Sequence, residues 1–111
     1  MSNTFVNGHI TNINNKYITV MLLEEDNKRI RNIIKNYGRL DFVPLLGKNQ
    51  IKVKYSCIKK QNGSPEEYFQ QFNDKMCKFY LNPVRMSYNG KINLSFELKN
   101  IAYESANNPD L

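Results

Sequence analysis

Apolar and polar residues alternate with a period of two along most of this chain, and in one stretch the period lengthens to that of a helix. The clearest alternation runs from residue 77 to residue 103. Ile92, Leu94, Phe96 and Leu98 interleave with Lys91, Asn93, Ser95, Glu97 and Lys99, which predicts a strand with one apolar and one polar face. Before Asn89-Gly90, Val84, Met86 and Tyr88 alternate with Arg85 and Ser87. Asn-Gly suits a two-residue type I′ turn, whose central residues both need positive φ, so the two runs form a hairpin. Cys77, Phe79 and Leu81 carry the apolar parity up to Asn82-Pro83, and Val84, Met86 and Tyr88 carry it afterwards. A parity change at a proline predicts a bulge or bend there, because proline donates no ladder hydrogen bond. A second slip follows Leu98, where Ile101 and Tyr103 take over the apolar parity. Strands that bend and change face turn the corners of small barrels; the plainer alternative is an edge-strand irregularity.

Residues 4–13 read as a strand carrying Val6, Ile10 and Ile13, with Gly8 expected at a bulge. Asn14-Asn15 is a turn. Residues 16–23 form a second strand, apolar on both faces and therefore central. Residues 24–37 switch period: Ile30, Ile33, Ile34 and Tyr37 form a helical stripe, with Glu24, Glu25 and Asp26 at the start, Lys35 near the end and Gly38 as the cap. Lys28, Arg29, Arg31 and Lys35 lie on the exposed side, which reads first as a solvated helix face. Residues 39–49 are a connector broken by Pro44 and Gly47, with Phe42, Val43, Leu45 and Leu46 expected on the core.

A third long strand is predicted over residues 50–59. Ile51, Val53, Tyr55 and Cys57 face one way; Lys52, Lys54 and Ser56 face the other. Residues 61–75 hold a loop and a short helix, with Ser64 as N-cap, Pro65 at the first helical position and Glu66 and Glu67 in the first turn. Of Tyr68, Phe69 and Phe72, two fit one helical face as a plug, leaving the third free to stack. The fold class expected is mainly β, α+β by content: a small OB-like antiparallel β-barrel of about five strands with one helix and a short helical plug. Residues 1–103 form one domain, and residues 104–111, carrying Glu104 and Asp110, a flexible acidic tail.

Composition narrows the function. A chain of 111 residues with 41% hydrophobic and 12% aromatic content is a single globular domain. It has no run of 18 apolar residues, and MSNTFVNGHI lacks the basic segment and apolar core of a signal peptide. The expected location is intracellular, away from membranes. Cys57 and Cys77 fall on apolar parities and read as buried reduced thiols. With His9 as the one histidine, no zinc spacing and no Cys-His or Ser-His-Asp set exists. Asp26, Asp41, Glu66, Glu67, Asp74 and Glu97 form no recognisable metal pair. A nuclease is therefore the weakest reading, and a non-enzymatic protein without cofactor or metal is expected.

The net charge of +6 and a pI near 9.4 favour an anionic partner. Lysine far outnumbers arginine, as A/T-rich coding favours, so placement says more than the total. Lys48, Lys52, Lys54, Lys59 and Lys60 follow one another without an intervening acid. Lysines on an edge strand also deter aggregation; as a groove wall they would track phosphates. Lys78 and Tyr80 share the polar parity of the fourth strand, Arg85 follows the bend, and Lys91 and Lys99 lie on the fifth. Cations for phosphates plus aromatic faces for bases, the latter worth ~1–3 kcal/mol per base, are the two requirements of single-strand binding.

The segment FYLNPVRMSYNGKINLSFELKNIAY, residues 79–103, resembles the closing hairpin of virus-encoded single-stranded-DNA-binding proteins with an OB-fold. It covers about a quarter of the chain. The resemblance implies sequence-tolerant binding of single-stranded DNA or RNA in replication, recombination or repair, with self-association and replication proteins as further partners. One departure stands out. The helix over residues 24–37 follows the second strand, whereas an OB-fold places its helix between the third and fourth; a further strand around residues 40–46 would reconcile the two. The competing function is a non-catalytic interaction or assembly subunit of a viral or replication complex, with lysines serving solubility.

Overall fold

In the computed structural model, which describes residues 4–55 and 64–103, the alternating runs become strands and the two helical patterns become helices. Along the chain these are β1 (Thr4–Ile13), β2 (Tyr17–Leu22), α1 (Glu24–Lys35), β3 (Leu45–Gly47), β4 (Gln50–Lys54), α2 (Pro65–Gln70), β5 (Cys77–Tyr88) and β6 (Lys91–Tyr103). The connector expected to be irregular supplies the short β3. Asn89 and Gly90 take φ of 52° and 77°, as a type I′ turn requires. The Ser64 hydroxyl accepts a 3.2 Å hydrogen bond from the Glu67 N–H, with Pro65 behind it in the first turn of α2.

The strands close on themselves. β1 pairs with β2 and β5, β5 with β6, β6 with β4, and β4 back with β2, while β3 lies outside this ring on β4. The result is a five-stranded barrel, mixed rather than wholly antiparallel, because Val53 and Lys54 of β4 run parallel to Phe96 and Glu97 of β6. This circuit is compatible with an OB-like barrel. α2, the short helix expected over residues 61–75, lies between the third and fourth barrel strands, where an OB-fold has its helix, and α1 is an addition between the second and third.

One parity of every barrel strand fills the interior. Val6, Ile18, Val20, Ile51, Val53, Phe79, Leu81, Phe96 and Leu98 are wholly enclosed. Ile30 and Ile34 join them from α1, and Phe69 and Phe72 from α2. Tyr68 meets Phe69 and Phe72 edge-on at 5.0 and 5.9 Å, so the third ring of this helix packs instead of standing free. Cys77 is a buried free thiol whose pKa burial pushes up against the opposing charge of Lys75. Cys57, Lys59, Lys60 and the tail 104–111 lie outside the described residues.

Helix α1 completes a strand edge. β1 meets β5 over Thr4–Gly8 and β2 from Gly8 onwards, so Phe5 and Asn7 lose a neighbour on the β2 side. The first turn of α1 replaces it. Asn7 donates its backbone N–H to Asp26 Oδ2 at 2.8 Å, the Leu23 N–H donates to the Asn7 carbonyl, and Arg29 donates to the Phe5 carbonyl at 2.6 Å. Arg29 also holds Asp26 Oδ1 at 2.8 Å. Asp26, which the sequence places as a favourable charge at a helix start, is therefore also a tertiary clamp.

Burial raises the Asp26 pKa, but the hydrogen bonds from Arg29 and Asn7 outweigh it and leave the carboxyl below its ordinary value. A folded-state pKa lower than the unfolded one means a contribution to stability that is whole above the unfolded value, near pH 4, and is lost as pH falls through the folded one. The melting temperature is expected to drop on acidification below about pH 4, and Asp26→Asn to be less stable at pH 7 with a shallower acid dependence. An unchanged acid profile in that variant would contradict the clamp.

Two expected irregularities sit elsewhere. Gly8 is not a bulge; the β1–β2 register slips at Thr11, between Ile10 and Asn12. Glycine is needed at position 8 for another reason: a Cβ there would lie 2.3 Å from the Met21 carbonyl oxygen of β2. Gly8→Ala is expected to cost about 1–3 kcal/mol in urea unfolding, as overpacking does; a neutral result would mean that β1 and β2 can separate freely. The β5–β6 ladder runs unbroken through Asn82 and Pro83, so no bulge forms at the proline. Val84, Met86 and Tyr88 instead stay on the outer parity. The second slip is real: Lys99 is the extra residue opposite Tyr80 and Leu81, and it returns Ile101 to the inner parity.

Candidate nucleic-acid interface

Cross-strand partners place their side chains on the same side of a sheet, so the pairings define the outer face of β2, β4, β6 and β5 row by row. Tyr17 is opposite Lys54, Thr19 opposite Lys52, and Lys54 in register with Glu97. Across the hairpin, Val84 is opposite Ser95, Met86 opposite Asn93 and Tyr88 opposite Lys91. Because Val84, Met86 and Tyr88 keep the outer parity, this face carries cations and large apolar side chains together. Met86 is 54% and Tyr88 70% exposed.

The connector enters this face as a wedge between β4 and β6. Leu94 donates to the Phe42 carbonyl and Lys52 to the Pro44 carbonyl, so residues 42–44 bridge both strands. Asp41 anchors the wedge: its carboxylate accepts the Ile92 N–H at 2.7 Å, and its own N–H donates to the Ile92 carbonyl. The Ile92 hydrogen bond holds the Asp41 carboxyl below its usual pKa, with Arg39 and Lys91 adding to the effect over a burial penalty. Phe42, Val43 and Leu46, expected on the core, are exposed, because the hydrogen bonds fix the backbone in the wedge and leave these side chains outside. Pro44 is buried and Leu45 packs against the core.

Between the wedge and the strands lies a groove of about 370 Å³, bounded by Phe42, Lys52, Lys54, Asn93 and Ser95. Lys54 also borders a second hollow of about 320 Å³ with Asn15, Lys16 and Tyr55. The Lys52 ammonium sits 4.8 Å from the centroid of the Tyr17 ring, a cation–π contact that fixes it on this face. The groove therefore offers ammonium groups for phosphates and an exposed ring for a base. Glu97, in register with Lys54, sets an acidic limit on one side.

Lys78 and Tyr80 are elsewhere. They lie on β5 opposite Asn7 and Phe5 of β1, and neither β5 nor β1 neighbours β4 in the ring. Lys78 and Arg29 both approach the Phe5 ring, at 4.5 and 5.3 Å, with Tyr80 beside it at 6.1 Å. This is a second cationic-aromatic patch, across the barrel from Lys52 and Lys54. Lys99 in the bulge opposes Tyr80 and belongs to that side. Arg85 pairs with Leu94, which puts it on the opposite hairpin face from Met86 and Tyr88. Lys48 is exposed in the β3–β4 turn, and Lys91 joins Tyr88 at the hairpin end. Of the ten predicted site residues, the groove face thus unites Lys52, Lys54 and Lys91.

Sequence reasoning missed Tyr17, Phe42, Asn93 and Ser95. Asn93 and Ser95 share the parity of Lys91, so that signal was present. Phe42 sits in an aperiodic connector where no pattern tells exposed from buried.

Among the described residues no cluster of His, Cys, Asp and Glu could hold a metal ion, and no helix is long and apolar enough to cross a membrane. No protein-family model matches the chain, and no curated protein or solved structure matches it. What the fold defines is a class: a small, closed, five-stranded mixed β-barrel with two short helices, compatible with an OB-like arrangement.

Proposed function

We propose that this protein is a non-enzymatic binder of single-stranded nucleic acid, with the strand lying across the outer face of β2, β4 and β6. The observation that carries the proposal is the groove between the wedge and β4, where Lys52 and Lys54 line the same hollow as the exposed Phe42. Single-strand binding needs those ingredients side by side, and it tolerates sequence because every base has a face to stack. The OB-compatible circuit supports the reading, since β2 and β4 stand where strands 2 and 3 of an OB-fold carry oligonucleotides. The hairpin resemblance points the same way and brings an intracellular role in replication, recombination or repair, with replication proteins as partners.

Fluorescence anisotropy with labelled oligo-dT tests the placement. Phe42→Ala is expected to weaken binding by about 1–3 kcal/mol, the worth of one stacked base. Tyr80→Ala, on the far seam, is expected to leave affinity within about twofold, the scatter of remote surface changes. The reverse result would move the site to the β1–β5 patch.

A further inference from the structure

Asn93 is the one groove residue with an unmet chemical need. Its Oδ1 is shut off from solvent and accepts no hydrogen bond. An enclosed acceptor without a donor is held at a cost, and turning the carboxamide about its last torsion into the groove breaks no hydrogen bond made by that oxygen. Asn93 is bridged to Phe42 through the backbone and lines the same hollow. A base stacked on the Phe42 ring would therefore bring its edge towards the Asn93 carboxamide.

We propose, on the premise that the groove binds a single strand, that Asn93 reads the edge of that base and favours adenine or cytosine, whose exocyclic amino group adjoins a ring-nitrogen acceptor. In these bases an amino donor stands beside a ring-nitrogen acceptor. A carboxamide matches that pair with two hydrogen bonds: Oδ1 accepts from the amino group while Nδ2 donates to the ring nitrogen. Thymine and uracil present the reverse order, a carbonyl oxygen beside an imino N–H, and meet the carboxamide only with its two ends exchanged, so the preference requires Oδ1 to be held towards the position of the amino group. The protein then tolerates any sequence along most of the strand and exerts a preference at one position.

The test removes one donor from the ligand and one acceptor from the protein. Wild type, Asn93→Ala and Asn93→Ser are each titrated with an oligo-dA strand and with the same strand built from the purine nucleoside that lacks the amino group. Wild type is expected to bind the adenine strand about three- to tenfold more tightly, the worth of one hydrogen bond at a sheltered site. Both variants should bind the two strands equally. Each ratio is taken within one protein, so a general loss of stability in a variant does not imitate the effect. Equal, salt-sensitive binding of both strands by wild type would overturn base reading and leave the groove standing. A preference that survives in both variants would overturn the role of Asn93. Failure of wild type to bind either strand would remove the single-strand reading itself, and base reading with it.

Discussion

Replacing Lys52 and Lys54 together with alanine is expected to lower affinity for oligo-dT by about ten- to a hundredfold at low salt, or ~1.4–2.8 kcal/mol. Hydrogen bonds to charged groups contribute ~1.5–3 kcal/mol each when sheltered; solvent screening brings each below that range here, because Lys54 is exposed and Lys52 only half-buried. The second signature is independent of the first. Each phosphate contact on a single strand contributes about 0.7 to the slope of log affinity against log salt, so the double variant should lose about 1.4. Removing Lys78 and Lys99 deletes the same formal charge from the far side of the barrel. That control should leave the slope near its original value if contacts, and not net charge, govern binding. Equal loss in both double variants would identify a diffuse cationic surface instead of a groove.

Phe96→Ala is expected to have the largest effect on stability, about 3–5 kcal/mol in urea unfolding. Domains of this size hold only ~5–15 kcal/mol in total, so this one substitution removes a large share of the stability. Phe96 is wholly enclosed and stands opposite Val53 in the parallel pairing that closes the ring. Truncation there opens a void in the enclosed core, next to a closure in which β4 and β6 share just two register pairs. Phe96→Leu, which keeps most of the volume, should cost ~1–2 kcal/mol. A loss under ~1 kcal/mol for the alanine variant would mean that the interior is not closed around Phe96.

The strands that carry this core were legible because burial on one face imposes a period of two, and Asn89-Gly90 fixed the hairpin register. The capped helix at Ser64 was equally readable, since its hydroxyl, proline and acids each meet a backbone need. The class, a small mainly β barrel compatible with an OB-like arrangement, was legible from the number of β segments and the two helical stretches. Three things were not readable, for separable reasons. The parity change at Pro83 reflects where the hairpin leaves the core: inside the barrel the apolar side is the inner one, and beyond it Met86 and Tyr88 turn outwards. A pattern of alternation cannot distinguish that from a slip. The exposed state of Phe42 comes from hydrogen bonds to Ile92 and Leu94, fifty residues away in the chain, which no local signal reports. The separation of Lys78 and Tyr80 from Lys52 and Lys54 depends on which strands are neighbours, a property of the closed ring and not of any one strand.

Binding in the groove requires a preference for single-stranded over duplex nucleic acid. Anisotropy with a labelled oligo-dT of about thirty nucleotides, long enough for at least one site of ~4–16 nucleotides, should be read at low and moderate salt against a duplex of equal length. Tight binding of the single strand, weakened by salt and clearly favoured over duplex, is the predicted result. Equal binding of both, or no binding of either at low salt, would contradict it.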